Sequence, residues 1–317
     1  MNIRQALISM CLFSLLSVQY ASVSLASELT PQEIVKRADE CGIADPTSRL
    51  MSDLGTHLYA GALYDQAEPL MRRALEIDEA SFGKDHPRVA IDLNNLAQLL
   101  QATNRLGEAE PLMRRALEID EASFGKDHPN VAIRLNNLAA LLQATNRLGE
   151  AEPLMRRALE IDEASLGKDH PNVAIRLNNL AALLQATNRL GEAEPLMRRV
   201  VQIFETSLGE GHPNVAASLN NLALLLQATN RLREAEPLMR RALEIDEASL
   251  GKDHPNVARD LNNLAQLLQA TNRLGEAEPL MRRALEIFRR SLGEEHPYTK
   301  TVSMNYELLK VEMRKRK

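Results

Sequence analysis

The sequence predicts an all-α fold, a solenoid in which antiparallel helix pairs stack one on the next. Three observations predict it. The dipeptide HP recurs at a fixed step of 42 residues, as between His86 and His128. The composition is 44% hydrophobic but only 3% aromatic, and the apolar residues of each repeat follow helical spacing. A long fixed period is typical of units that bury their apolar faces only by stacking.

The first helix of each repeat is predicted to begin at the HP dipeptide and to end near the sequence TNR. Pro129 suits the first helical position, because a backbone N–H there would have no partner within the helix. An apolar stripe for packing is predicted at Leu93, Leu96, Ala97 and Leu100.

The second helix is predicted to begin near Leu148–Gly149 and to end at Gly167, which suits a left-handed cap. Pro153 is expected close to the first turn, because deeper in the helix it would remove a backbone hydrogen bond. Six such prolines recur at the same step. The architecture is therefore expected to tolerate them.

The outward surface of the second helix is predicted to be solvated. Its arginine doublet, Arg114–Arg115 in one repeat, lies near Glu110 and Glu118 at helical i,i+4 spacing. Such pairs are typical of weak ion pairs on an exposed helix surface.

The two ends of the chain differ from the repeats. Residues 1–26 combine a basic start, an apolar stretch and small residues before a cleavage point after Ala26, the pattern of a secretory signal peptide. They predict a secreted or periplasmic protein, or a membrane-anchored one if the segment stays uncleaved. Residues 27–45 are predicted to form a short helix and a linker, and residues 46–317 the solenoid. Its closing helix carries Ser303 and Lys310 in place of leucines, which predicts a polar cap.

The consensus of the repeat, HPNVAxxLNNLAxLLxxxxRLxEAEPLxRRALEI, is similar to the 42-residue tetratricopeptide repeat of kinesin light chains and their bacterial relatives. The resemblance covers about residues 46–317. It implies a right-handed superhelix of about six repeats plus a capping helix, with the first helices lining a concave groove that binds peptides. The coiled coil of kinesin light chains is absent, so the resemblance does not imply a role in motor cargo.

Two adjacent asparagines recur at the same position in five first helices; Asp53 occupies the second position in the first repeat, and only the second asparagine, Asn305, is kept in the closing helix. At 100° per residue, Asn94 falls on the flank of the helix and Asn95 on the side opposite the packed stripe. Asn94 is therefore predicted to bond a neighbouring loop or helix end, and Asn95 to face the groove. Because an amide both donates and accepts, a peptide-binding ladder is predicted at Asn95, Asn137, Asn179, Asn221, Asn263 and Asn305. The alternative is that the asparagines bond only between adjacent helices.

Other side chains of the predicted groove are apolar in the middle and more polar towards the ends. The candidate contacts for a peptide are Ile133, Ile175, Leu224, Gln98 and Gln266. Arg134 and Arg176 border the central part, which favours a mildly apolar peptide that carries an acidic residue.

Several functional classes are not expected. A net charge of −5 with both signs mixed argues against a nucleic-acid binder. Six of the seven histidines occur once per repeat before Pro, so they do not converge as metal ligands. No residue set stands apart from the repeat as a catalytic site, and no cofactor is implied.

The sequence therefore predicts a non-enzymatic scaffold or adaptor that binds a protein or peptide. The alternative is a structural repeat protein of the cell envelope that self-assembles end to end or through Cys41.

Overall fold

The computed structural model describes residues 44–315, which form thirteen α-helices and contain no β-strand. The helices are α1 (Ala44–Ala60), α2 (Tyr64–Phe82), α3 (Pro87–Ala102), α4 (Leu106–Phe124), α5 (Pro129–Ala144), α6 (Leu148–Leu166), α7 (Pro171–Ala186), α8 (Leu190–Leu208), α9 (Pro213–Ala228), α10 (Leu232–Leu250), α11 (Pro255–Ala270), α12 (Leu274–Leu292) and α13 (Pro297–Lys315). The predicted all-α class and the two-helix repeat are confirmed. The predicted signal peptide, the short helix after it and Cys41 lie outside the described residues.

The described part of the chain divides into two compact units, residues 44–161 and 162–315. In the first unit, helices α1 to α5 each pack against the next helix along the chain. In the second unit, helices α7 to α13 do the same. Short connections between successive helices make each pair antiparallel.

The hydrophobic core crosses the boundary between repeats. In the first unit, Val89 and Leu93 of α3 pack with Ala116 and Ile119 of α4, and Leu75 of the preceding helix α2 packs against the same cluster. The next repeat has the same arrangement. Burying a Val, Leu or Ile side chain contributes roughly 1.5–3 kcal/mol. Each pair therefore gains much of its stability from its neighbour.

The first helices begin and end as local sequence requires. The Nδ1 atom of His170 accepts the backbone N–H of Asn172 at 3.1 Å, so the histidine caps α7 before Pro171. At the other end of a first helix, Asn146 adopts φ 59°, the left-handed conformation. This turn lets the N–H of Arg147 reach the carbonyl of Leu142 at 2.8 Å and satisfies a terminal carbonyl.

The second helices depart from prediction at their C-terminal ends. Gly125 after α4 has the expected positive φ, 87°, but its ψ of 162° is extended rather than left-handed helical. Only glycine adopts this conformation readily. Pro153 is the sixth residue of α6, close to the first turn as the predicted helix start implies. The helix continues to Leu166, although Pro153 has no N–H to donate to the carbonyl of Gly149.

The outward arginines link one repeat to the next. Arg114 pairs with Glu110 at 2.8 Å as predicted, but Arg115 reaches back to Glu79 at 2.5 Å rather than to Glu118. Arg147 also reaches back to Glu110, at 2.7 Å. Hydrogen bonds from Arg147 and Arg114 lower the pKa of Glu110. Each exposed pair contributes less than about 1 kcal/mol, but the repeated pairs fix the register of stacking.

Candidate functional site

The first helices leave one side uncovered in each unit. We call this side the first-helix stripe; it contains the predicted groove residues at the positions of Ile91, Asn95 and Gln98 and their equivalents in later repeats. Its large apolar side chains are Ile133, Ile175 and Leu224, which are 44%, 48% and 41% exposed. Gln98 and Gln266 are partly exposed on the same stripe. These apolar side chains are therefore exposed to water, because packing within the repeats does not cover them.

The first asparagine of each pair lies between repeats. In the first unit, Asn94 is only 4% exposed, and its Oδ1 atom accepts the side-chain N–H of Asn137 at 2.9 Å. This bond confirms a structural role for Asn94. Its partner, however, is the second asparagine of the next repeat rather than a loop or helix end.

The second asparagines combine exposure with a bond between repeats. In the second unit, the Nδ2 atoms of Asn221, Asn263 and Asn305 donate to the preceding first asparagines at 3.2, 3.4 and 3.2 Å. Asn221 is exposed, and Asn95, Asn137, Asn179, Asn263 and Asn305 are partly exposed. Such a bond fixes the orientation of the amide and uses only part of its donor and acceptor capacity. Bonds between adjacent helices were the predicted alternative, and they occur together with exposure of the second asparagine.

In the first unit, α1, α3 and α5 enclose an open cavity of about 360 Å³ on the stripe. Its lining includes Tyr59, Gln98, Ala102 and Asn137. Two predicted contact residues, Gln98 and Asn137, are thus brought to one concave surface.

Two further repeat positions are considered together. One lies in each second helix, and the other lies fourteen residues later, in the first helix of the next repeat. We call the two residues the interrepeat pair. Its members are Asp78 and Asp92, Asp120 and Arg134, Asp162 and Arg176, Phe204 and Ser218, Asp246 and Asp260, and Phe288 and Val302. The chemistry of the pair thus changes along a chain whose repeats are otherwise nearly identical.

Two interrepeat pairs are ion pairs. The Nε atoms of Arg134 and Arg176 each lie 2.8 Å from a carboxylate oxygen, of Asp120 and Asp162 respectively. The Arg134 side chain is only 9% exposed. The prediction that these arginines offer charge to an acidic ligand residue is wrong, because their guanidinium groups already neutralise a buried aspartate.

Two other pairs join carboxyl groups. Burial raises the pKa of Asp92 to about 7, and the nearby Asp78 contributes to the rise. Burial likewise raises the pKa of Asp260 to about 7; Arg259 lowers it and Asp246 raises it. Both Asp246 and Asp260 are at most 1% exposed. Each pair therefore retains a proton into the neutral range, because burial disfavours the charged form and repulsion by the second carboxyl group adds to the effect.

Other kinds of site are not found in the described part of the chain. Residues 44–315 contain no cluster of three or more His, Cys, Asp or Glu side chains arranged for a metal ion. Within the same range, none of the helices has both the length and the apolar character of a membrane span.

Stacked two-helix repeats with capped first helices define an all-α repeat protein. The family model of the tetratricopeptide repeat matches residues 46–122, 93–164, 135–206, 174–248, 214–290 and 261–315. The chain belongs to the tetratricopeptide repeat family, and the predicted resemblance is confirmed.

Solved structures of kinesin-light-chain-like proteins are similar to this chain. A putative kinesin light chain with nearly identical repeats from Podosopora anserina is 27% identical, with a TM-score of 0.58 over 65% of this chain and 98% of that one. BtubC from P. vanneervenii is 24% identical, with a TM-score of 0.61 over 74% of this chain and 92% of that one. No curated protein matches the chain.

Replacing Asp260 by Asn is expected to stabilise the protein at pH 8. The folded chain retains the Asp260 proton up to about pH 7, whereas an unfolded aspartate loses it near pH 4. The contribution of this group to stability is thus complete below pH 4 and is lost as pH rises through 7. Asn carries no charge, so the free energy of unfolding should rise by on the order of 2 kcal/mol at pH 8 and hardly change at pH 4, measured by urea denaturation.

Asp162→Asn is the matched control at pH 8, because Asp162 occupies the repeat position of Asp246 but is paired with Arg176. Its loss leaves a partly buried guanidinium without its partner, so the free energy of unfolding should fall by about 3 kcal/mol. A change of the same sign in the two variants would contradict the assignment of the carboxyl pair.

Proposed function

We propose that the chain is a non-catalytic scaffold or adaptor that binds an extended peptide, or an extended segment of a partner protein, along the first-helix stripe. One observation carries the proposal. The large apolar side chains of the stripe remain exposed. They lie beside asparagine amides whose orientation is fixed by hydrogen bonds between repeats. The proposal is also supported by membership of the tetratricopeptide repeat family, for which peptide binding in the groove is expected.

The asparagines would bind the peptide backbone. After donating one N–H to the preceding repeat, an amide such as that of Asn221 still has a second N–H and a carbonyl oxygen. These are the complements of a backbone C=O and N–H. Because the interrepeat bond limits rotation of the amide, less conformational entropy is lost when the peptide binds.

The apolar residues would select the peptide side chains. Ile175 and Leu224 in the second unit, and Ile133 in the first, expose surface that a peptide could bury. Burial contributes about 25 cal/mol per Å² of apolar area. Arg134 and Arg176 are occupied by aspartates, so the proposal no longer includes an acidic ligand residue there.

The double variant Ile175→Gln/Leu224→Gln is expected to lose peptide binding without loss of stability. Peptides would first be selected from a displayed random library against the full chain. Their affinity should fall at least tenfold in the variant, since burying two apolar side chains contributes a few kcal/mol. Isothermal titration calorimetry measures the affinity, and circular dichroism measures the melting temperature.

Leu166→Gln is the matched control, because Leu166 is an exposed apolar residue at the end of a second helix rather than on the stripe. It should leave the affinity unchanged. Selected peptides that bind the double variant as tightly as the original chain would exclude the first-helix stripe as the binding surface.

We also propose that the protein is exported, with secretion or a periplasmic location following from residues 1–26. The mature chain is expected to begin at Ser27. Intact mass spectrometry of protein purified from the exporting cell tests this: the mass of residues 27–317 supports cleavage, whereas the mass of the full chain in the membrane fraction supports the anchored alternative.

A second candidate function is self-assembly, and a feature of α13 favours it. Met304 and Leu308 are 60% and 58% exposed, so α13 is less polar than the predicted cap. Neighbouring Val311 is also exposed. Ser303 and Lys310 polarise one side of the helix, but these three residues leave an apolar surface on another.

Sedimentation velocity at several concentrations tests self-assembly. Assembly through α13 predicts a sedimentation coefficient that increases with concentration and that Met304→Gln/Leu308→Gln reduces to the monomer value. A single monomeric species at all concentrations would exclude this candidate and leave peptide binding unaffected.

A further inference from the structure

The carboxyl pair of the first unit opens onto a cavity of its own. Asp78 and Asp92 line a space of about 280 Å³ together with Ser48, Ser52, Asp53 and Ile91. Ile91 also belongs to the first-helix stripe, so the cavity adjoins the proposed peptide-binding surface. The equivalent pair in the second unit, Asp246 and Asp260, is 0% and 1% exposed, against 5% for both Asp78 and Asp92.

One carboxylate oxygen in this cavity lacks a partner. Asp92 is only 5% exposed; its Oδ1 atom accepts the Ser52 hydroxyl at 2.9 Å, but its Oδ2 atom has no hydrogen bond within the described residues. The Ser48 hydroxyl donates to Asp78. An unsatisfied buried carboxylate oxygen costs about 1–3 kcal/mol. The cavity therefore has acceptor capacity that a donor could satisfy.

The next repeat shows which donor fits this position. There the residue equivalent to Asp92 is Arg134, and its guanidinium lies against Asp120, the equivalent of Asp78. Helices α2 and α3, which carry the first pair, are nearly the same in sequence as α4 and α5, which carry the next one, whereas α1 differs from its equivalent α3 and supplies Ser48 and Ser52. In the first pair the aspartate is kept, but the arginine is replaced by a second carboxyl group, and an open cavity adjoins it.

We infer that the cavity between α1, α2 and α3 binds an arginine side chain of the peptide ligand, whose guanidinium group bridges Asp78 and Asp92. The inference rests on the proposed function, because it assigns one side chain of that peptide. A guanidinium presents several N–H donors in one plane and can bond two carboxylates at once.

The charges around the cavity are compatible with a cation. From α1, Asp53 and Arg49 line it; from α2, Asp78; and from α3, Asp92 and Arg88. Three carboxylates thus face two guanidinium groups. The Arg88 guanidinium also lies over the Phe82 ring at 4.8 Å. When Asp92 is ionised, the negative charge exceeds the positive charge, and an added cation balances it.

Binding should release a proton. Burial raises the pKa of Asp92 to about 7, and a guanidinium at the carboxyl pair favours the ionised form. Below pH 7 the ligand must displace the proton, whereas above pH 7 the carboxylate is already ionised. The affinity for arginine is therefore expected to rise about tenfold between pH 6 and pH 8.

The probe is N-acetyl-arginine amide, with the neutral isostere N-acetyl-citrulline amide as its control. Binding to the full chain is measured by ligand-observed NMR at pH 6 and pH 8. We expect the arginine probe to bind, more tightly at pH 8, and the citrulline probe to bind at least tenfold more weakly. Equal binding of both probes, or displacement of the arginine probe by an equal concentration of Ca²⁺, would overturn the inference.

Three variants locate the site. Asp92→Asn should weaken the arginine probe at least tenfold and abolish the pH dependence, whereas Asp260→Asn, in the more deeply buried pair of the second unit, should change neither. Asp92→Arg should also abolish binding, because its own guanidinium would occupy the cavity as Arg134 does, and its melting temperature should not fall. Unchanged binding in folded Asp92→Asn and Asp92→Arg would overturn the inference.

The result can be separated from that of the proposed function. Selected peptides that depend on Ile133, the exposed apolar residue of the first-helix stripe in the same unit, but compete with no arginine probe would reject the arginine subsite alone. If peptide binding neither depended on the exposed apolar residues of the stripe nor competed with the arginine probe, peptide binding on the first-helix stripe would be rejected as well.

Discussion

A helix pair with this sequence cannot bury its core-facing apolar residues alone. The rest of the structure depends on the stacking of repeats, which buries them. Leu75 of one repeat packs on the cluster of Val89, Leu93 and Ala116 in the next. Small alanines at the contacts let the helices approach closely, and arginines such as Arg147 reach back to hold the register. Once the register is fixed, each position of the repeat has a fixed environment. One side of every first helix remains uncovered.

In such a framework, the repeats differ chemically at only a few positions. Residues 107–147 and 149–189 differ only at Phe124 and Leu166, so most of the surface is the same from repeat to repeat. The interrepeat pair varies much more, from an ion pair through a phenylalanine with serine or valine to paired carboxyl groups. Because these residues are buried beside the uncovered side, a change of one residue alters both the stability of the stack and the charge available to a ligand.

The sequence was sufficient to predict the helix pairs, their boundaries and the exposure of the stripe, because a fixed period and local capping residues determine them. It left open whether the asparagines bond between adjacent helices, and it did not pair Asn137 with Asn94 or reveal that Arg134 neutralises Asp120. Both contacts join residues of different repeats. Their geometry depends on how one repeat is rotated on the next, and helical periodicity contains no information about that rotation.

The uncovered first-helix stripe is the centre of this interpretation, and a crystal structure of the full chain with a selected peptide tests it most directly. We expect the peptide backbone within hydrogen-bonding distance of the second asparagines, which keep their bonds to the preceding repeat, and peptide side chains against Ile175 or Leu224. A peptide bound instead to the outward surface of the second helices, with the asparagine amides contacting only one another, would contradict it.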